Sequence, residues 1–250
     1  MIQRDIQDDI AIVRMAHGKV NALDIELLRA ICEEFKALEQ TSYRAVVLTG
    51  VGSCFSAGVD LFRLIQEDQS YLERFLPVLS DAFRAVFQFP RPVIGAAGGH
   101  AIAGGAVLLC CCDYRLFADT QARMGVPELH VGVPFPSIAL EILRFCVSRA
   151  HFQDIIYSGE TFVPSEALRR GLVDEVIPSD QLIERALTCA KRYASVPSGT
   201  YELSKRQLHK PVLDLTEASD DLEAEVNTLW AAQPTREAIQ SYLDRLFQNR

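Results

Sequence analysis

The sequence predicts an α/β fold, and three observations carry that reading. Residues 44–49 (RAVVLT) form a continuous apolar run of the kind that parallel strands covered on both faces require. Residues 91–119 (RPVIGAAGGHAIAGGAVLLCCCDYRLFAD) read as a strand over 92–97, a turn crowded with glycine, a compact apolar helix and a second strand over 114–118. Apolar residues at helical spacing fill the intervals, first at Ile25, Leu28, Ile31, Phe35 and Leu38, then at Leu72, Phe75, Leu76, Leu79, Phe83 and Val86.

Taken in order, residues 10–15 (IAIVRM) are β-branched and strand-like, paired with the alternating IQRDI before them. The turn HGKVNALD follows, where Gly18, Asn21 and Asp24 are suited to local hydrogen bonding and Asp24 can cap the first helix. After RAVVLT comes the loop GVGSCFSAGVDL. Its Gly50 and Gly52 invite a dinucleotide-binding reading, but Phe55 stands at the third glycine position and no acidic residue closes a second strand. No GxSxG nucleophile elbow occurs anywhere. The long helix from about residue 70 to 87 ends before Pro90 and Pro92. Gly98, Gly99, Gly104 and Gly105 then admit two readings: a backbone seat for negative charge at the start of a helix, or tight strand-to-helix packing.

Residues 122–136 (ARMGVPELHVGVPFP) look irregular, with three prolines and two glycines around Glu128. From Pro136 the pattern is helical through SIALEILRFC and SRAHFQDIIYSG. A small αβ piece, VPSEALRRGLVDEVI, has Pro164 at its helix start and Gly171 at its end. Everything after Pro178 reads as helix, with breaks expected near Pro197 and Ser198, at Pro211 and at Pro234, as a separate helical layer. The last segment sets Ile239, Tyr242, Leu243, Leu246 and Phe247 on one side, to dock on its own domain or on another subunit.

The 250 residues suit one domain or a domain with an appendage, and 49% hydrophobic residues suffice for a sizeable core. A net charge of −8 without long charge runs argues against nucleic acid as a partner, while leaving a local anion site open. Seven cysteines, three of them consecutive at 110–112 and none in a CxxC pair, fit neither a disulfide framework nor structural zinc. Buried reduced thiols in a cytoplasmic protein are the expectation. The first ten residues are too charged for a signal peptide, no apolar run has membrane length, and LFQNR carries no prenylation or peroxisomal signal.

Two glycine-rich loops, FSAGVDL and GHAIAGGAV, each follow an apolar strand, and parallel strands bring such loops to a shared edge. Amides from both loops can converge on one oxygen. With the lone carboxylate of Glu128 in a proline-stiffened loop downstream, this suggests an oxyanion hole with an acid or base beside it.

The combination of NALD at 21–24, FSAGVDL at 55–61, GHAIAGGAVLLCCCDYRLFAD, GVPELHVGV and SGETFVPSEALRRGLVDEVI resembles the crotonase, or enoyl-CoA hydratase and isomerase, superfamily, over nearly the whole chain. The resemblance implies a spiral of ββα units over residues 1–195. It also implies a C-terminal helical region, 196–250, that assembles a homotrimer or a dimer of trimers. The ligand implied is an acyl-CoA thioester, with no cofactor beyond the CoA the substrate itself carries and no metal. The oxyanion donors carry over to the amides of Val59 and Gly104. Glu128 matches one of the two family glutamates, and Val107 stands where the other is often found. Adding water across a double bond needs one group to deprotonate water and another to protonate carbon. Moving a double bond from C3 to C2 needs one carboxylate, which takes the C2 proton and returns it to C4.

The resemblance therefore favours an enoyl-CoA isomerase with Glu128 as base, ahead of a hydratase or a non-catalytic acyl-CoA binder. Glu128 is expected among Val107, Val126, Leu129 and Pro134, where desolvation raises its pKa. The implied CoA contacts are backbone around Ala57 and Val59 and the loop of Lys19, Val20 and Ala22, with Lys19 placed to meet a phosphate; Asp60, Leu61, Gly104 and Val107 complete the substrate-binding set. Asp60 and Asp113 read as structural hydrogen-bonding residues, and Glu141 is the one evident substitute for the missing carboxylate. His17, His100 and His130 lack metal-ligand spacing and read as turn or packing residues.

Overall fold

A computed structural model describes the main chain of residues 1–248 and side chains through residue 246, so the Phe247 side chain of the terminal apolar stripe lies outside the described residues. Strands β1 (Ile2–Gln7) and β2 (Ile10–Met15) form an antiparallel hairpin with Ile2 opposite Met15. Helix α1 (Ile25–Glu39) begins where the Asp24 side chain accepts from Leu27 N, and it buries Ile25, Leu28, Ile31, Phe35 and Leu38 as the spacing predicts. β3 (Ala45–Gly50) and the short β4 (Cys54–Ser56) follow, then α2 (Leu61–Gln66) and α3 (Gln69–Phe87). The glycine-rich stretch gives β5 (Val93–Ala97), β6 (His100–Ile102), α4 (Gly104–Cys110) and β7 (Tyr114–Ala118). Beyond it lie β8 (Met124–Gly125), the single-turn α5 (Glu128–Val131), α6 (Ser137–Cys146), α7 (Phe152–Ser158), β9 (Thr161–Phe162), α8 (Pro164–Arg170) and β10 (Glu175–Ile177). The rest is helical: α9 (Leu182–Ala194), α10 (Ser198–Glu217), α11 (Asp220–Ala231) and α12 (Gln233–Gln248).

The strands form two sheets. A six-stranded sheet runs β1-β2-β3-β5-β7-β10, parallel from β2 onward, and a four-stranded sheet runs β4-β6-β8-β9. Each of β3, β5 and β7 hands the chain to a short strand of the second sheet and then to a helix: β3-β4-α2, β5-β6-α4, β7-β8-α5. That is the spiral of ββα units. The large sheet is covered on both faces, which explains the unbroken apolar run of β3. Val46 and Leu48 join the core under α1 and α3, while Ala45 and Val47 face Leu182, Ala186 and Ala190 of α9.

Two expectations are corrected. The stretch 122–136 is not wholly irregular, since it contains β8 and α5; elements of two and four residues are too short to show a period. Pro211 does not break the tail. α10 runs through it, and the break falls at Ala218 and Ser219. Pro211 is exposed, and Lys205 and His209 on the same helix are buried. The break expected at Pro234 is present: α11 ends at Ala231, and Pro234 lies in the first turn of α12. Among the described residues no helix is long and apolar enough to cross a membrane.

Candidate active site

The site is built where the two glycine-rich loops meet. Asn21, 1% exposed and held at φ 48°, pins the first loop: its Nδ2 donates to Cys54 O and Phe55 O, each at 3.1 Å, and its Oδ1 accepts from His17 N at 2.8 Å. Ser56 Oγ donates to Asn21 O at 2.7 Å and accepts from Gly58 N at 3.1 Å. Leu23 N donates to Gly58 O and Asp60 N donates to Leu23 O, so residues 58–60 form a parallel bridge with Leu23. In such a bridge the middle residue turns its own amide to the opposite side. Val59 is that residue, and Gly104 lies next to it: a Cβ on Gly58 would stand 3.1 Å from Gly104 N. Among the described residues neither the Val59 nor the Gly104 amide donates to a main-chain acceptor.

The packing reading holds at two of these glycines. Gly99 and Gly105 serve packing, because a Cβ there would stand 2.0 Å from Ser53 O and 2.4 Å from Ser56 O. Gly104 is less crowded, with Leu23 Cδ1 at 3.0 Å and Phe83 Cζ at 3.7 Å from its Cβ position, and it borders open space. Ala103, at φ 53° and ψ −129°, makes the sharp turn from β6 into α4.

That space is a cavity of about 530 Å³. Glu128 enters it from α5, which Pro127 opens and Gly132 closes at φ 88°. The residue is 7% exposed, and its Oε2 is buried without a hydrogen-bond partner. Burial pushes its pKa up from 4.5 to about 8, against a hydrogen bond from its own main-chain amide. Val107, Val131, Val133, Pro134 and Phe135 share the lining. Leu129 does not surround the carboxylate as expected: it is 44% exposed, because one residue's advance along a single-turn helix points it outward. Among the described residues the only other carboxylate in the lining is Asp60, whose Oδ1 caps α2 by accepting from Arg63 N at 3.0 Å.

Of the sequence-predicted residues, Ala22, Ala57, Val59, Asp60, Leu61, Gly104, Val107 and Glu128 all line the cavity. Lys19 does not. It is exposed on the loop beside Val20, which does line the mouth. Glu141 turns to Arg144 at 3.1 Å and stays out of the lining, so it does not substitute for the missing carboxylate. Asp113 takes Val93 N and a buried Lys205 at 2.8 Å, the core network expected of it. His17 pairs with Asp24, His130 packs beneath Gly159, and His100 accepts from Arg123 N while lining the mouth. Among the described residues no three His, Cys, Asp or Glu groups cluster as metal ligands would.

Sequence reasoning missed one wall. Trp230, Tyr242, Leu243 and Leu246 from α11 and α12 close the cavity of their own chain. Trp230 Nε1 donates to Pro134 O at 3.0 Å, Glu223 Oε2 accepts from Ser137 N at 2.8 Å, and Arg236 caps the end of α2 at Ile65 O. The apolar stripe at 239–246 was the available signal: it favoured docking on the same chain over a neighbour, but did not say that the surface covered would be the cavity.

A two-sheet ββα spiral followed by a C-terminal helical region defines an α/β protein of the crotonase class. Residues 5–249 match the enoyl-CoA hydratase/isomerase family, and the chain belongs to that family. It is 25% identical over 251 residues to mitochondrial enoyl-CoA delta isomerase 1 of Homo sapiens, covering 98% of this chain and 83% of that protein. It is 30% identical over 228 residues to 2,3-dehydroadipyl-CoA hydratase of Escherichia coli, covering 90% of this chain and 88% of that one. The crystal structure of human mitochondrial delta3-delta2-enoyl-CoA isomerase aligns with a TM-score of 0.93 at 24% identity, covering 100% of this chain and 99% of that chain.

Proposed function

We propose that the protein is an enoyl-CoA isomerase that converts 3-enoyl-CoA to 2-enoyl-CoA with Glu128 as its single proton carrier. The observation that carries this reading is the buried Glu128 carboxylate, whose Oε2 has no hydrogen-bond partner, in a largely apolar cavity that Val107 also lines. The thioester oxygen rests between the Val59 and Gly104 amides. Glu128 removes the C2 proton, and the electron pair spreads through the dienolate onto that oxygen. The same carboxyl then delivers the proton to C4, and the double bond settles between C2 and C3. No water is consumed, so one carboxylate suffices. Two neighbouring amides that donate to no acceptor among the described residues, Val59 on the loop held by Asn21 and Ser56 and Gly104 beside it, support the oxyanion role. The CoA moiety leaves past Ala57 and Val20 at the mouth, with Lys19 free to meet a phosphate. The assembly proposed is a homotrimer or a dimer of trimers.

Hydration of 2-enoyl-CoA is the second reading, favoured by the 30% identity to the Escherichia coli hydratase. Incubation with 3-enoyl-CoA and 2-enoyl-CoA, followed by mass and retention time, separates the two. A shifted double bond without added mass is the expected result. Addition of water transfers the assignment to the hydratase, and no change in either substrate leaves a binding protein. The Glu128→Gln variant is expected to lose about 10²- to 10⁴-fold in turnover; full activity in that variant removes Glu128 from the mechanism.

A further inference from the structure

Helix α3 runs from the reaction centre to a feature the chemistry does not use. Phe83 stands beside Gly104, and Leu79, about one turn back along the helix, lines the same cavity. Leu72 lines a different, smaller cavity of about 50 Å³ between α2, α3 and the tail. At 1.5 Å per residue, Leu72 lies about 10 Å beyond Leu79 on the side away from Gly104. Trp230 is the only described residue that borders both spaces. It is 5% exposed, and the hydrogen bond from Nε1 to Pro134 O fixes its indole to the segment that follows α5, the helix that carries Glu128. The side chains leading to it, Leu79, Phe83, Val107, Phe135 and Ala139, are all apolar.

We propose that the Trp230 indole is the stop that sets the acyl-chain length this protein accepts, a reading that rests on the acyl-CoA ligand proposed above. The thioester is held at Gly104, so the acyl chain extends along the α3 wall until its end meets the indole. Chains short of that point gain contact with each added methylene, about fourfold in affinity per methylene buried. Longer chains have no space, because the room beyond lies behind the ring. Shortening residue 230 joins the two spaces and moves the stop toward Leu72.

The test measures binding rather than turnover. Saturated acyl-CoAs, lengthened two carbons at a time from butanoyl to hexadecanoyl, are titrated calorimetrically into the full-length protein, Trp230→Phe and Trp230→Ala. In the native protein affinity is expected to climb and then break at one chain length. Trp230→Phe, which keeps a ring but loses the N–H, should hold the break within one step. Trp230→Ala should move it at least one step longer. An unmoved break in Trp230→Ala, or a native series with no break, overturns the proposal.

Trp230 is also the only tryptophan in the chain, which supplies a check in the native protein. Its emission should shift with chains that reach the break and stay unchanged with butanoyl-CoA or free CoA; an equal shift with free CoA overturns the proposal. Failure of the broader reading looks different. A protein that binds no acyl-CoA of any length removes both, whereas tight binding with an unmoved break removes only the role of Trp230.

Discussion

The Glu128 side chain sits in an environment that disfavours charge. With a pKa of about 8, the basic form is a minority at neutral pH and grows as pH rises. For the proposed isomerase, kcat/KM should therefore increase about tenfold per pH unit below about 8 and level off above it, in rates measured on 3-enoyl-CoA across that range. The same shift affects folding. The unfolded carboxylate ionises near 4.5 while the folded one holds its proton to about 8, so the folded state binds the extra proton between those values. Stability then falls as pH climbs through that window and is flat on either side. Glu128→Gln removes the penalty, and its stability advantage over the native protein should grow from near zero below pH 4.5 to at most roughly 5 kcal/mol above pH 8. Denaturant melts of both proteins at the two ends of the window check this. Glu128 and its apolar setting were legible in the sequence through the proline-flanked motif. The full role of Asn21 was not: its side chain reads as turn chemistry, yet it spans to residues 54 and 55, and no local pattern encodes a bond across more than thirty residues.

Among the elements, the long ones were legible and the short ones were not. α1 and α3 bury one face over many turns, and β3 is apolar throughout because helices cover both sides. β4, β6, β8 and β9 have two or three residues each, and their pairing is set by where β3, β5 and β7 end. Pro211 shows the opposite error. A proline removes one helical hydrogen bond, but α10 continues through it because its buried residues hold it on both sides. His209 stacks on Phe87 at 3.8 Å, where burial holds its pKa down at about 4 and keeps it neutral. Pro211→Ala restores the missing donor at an exposed position, so it should raise stability by about 1–3 kcal/mol, read from the urea midpoint at constant m.

For the molecule as a unit, the tail is a structural partner of the site. Lys205 of α10 meets Asp113 at 2.8 Å, with both side chains under a tenth exposed, and Asp113 also receives Val93 N at the start of β5. Removing one partner of such a pair strands a buried charge. Lys205→Met should cost about 3–5 kcal/mol in unfolding free energy, and adding Asp113→Asn should recover part of it in a double-mutant cycle. Leu203, Leu208 and Leu215 of α10 and Leu222 and Leu229 of α11 are more than half exposed in the single chain. Covering them suits the proposed assembly, for which light scattering should report three or six copies of the 27.8 kDa chain.

The sequence by itself determined the α/β class, the long helices, the buried strands and the family, because each depends on local periodicity or on contiguous motifs. It also pointed to residues that the cavity brings together: Glu128, Val107 and the two glycine-rich loops. Tertiary structure alone decided that the C-terminal helices close the cavity of their own chain, that Trp230 stands between two spaces and that Lys19 stays outside the lining. Those outcomes depend on how residues far apart in sequence fill a common volume, and amphipathic spacing specifies which face is buried without specifying against what.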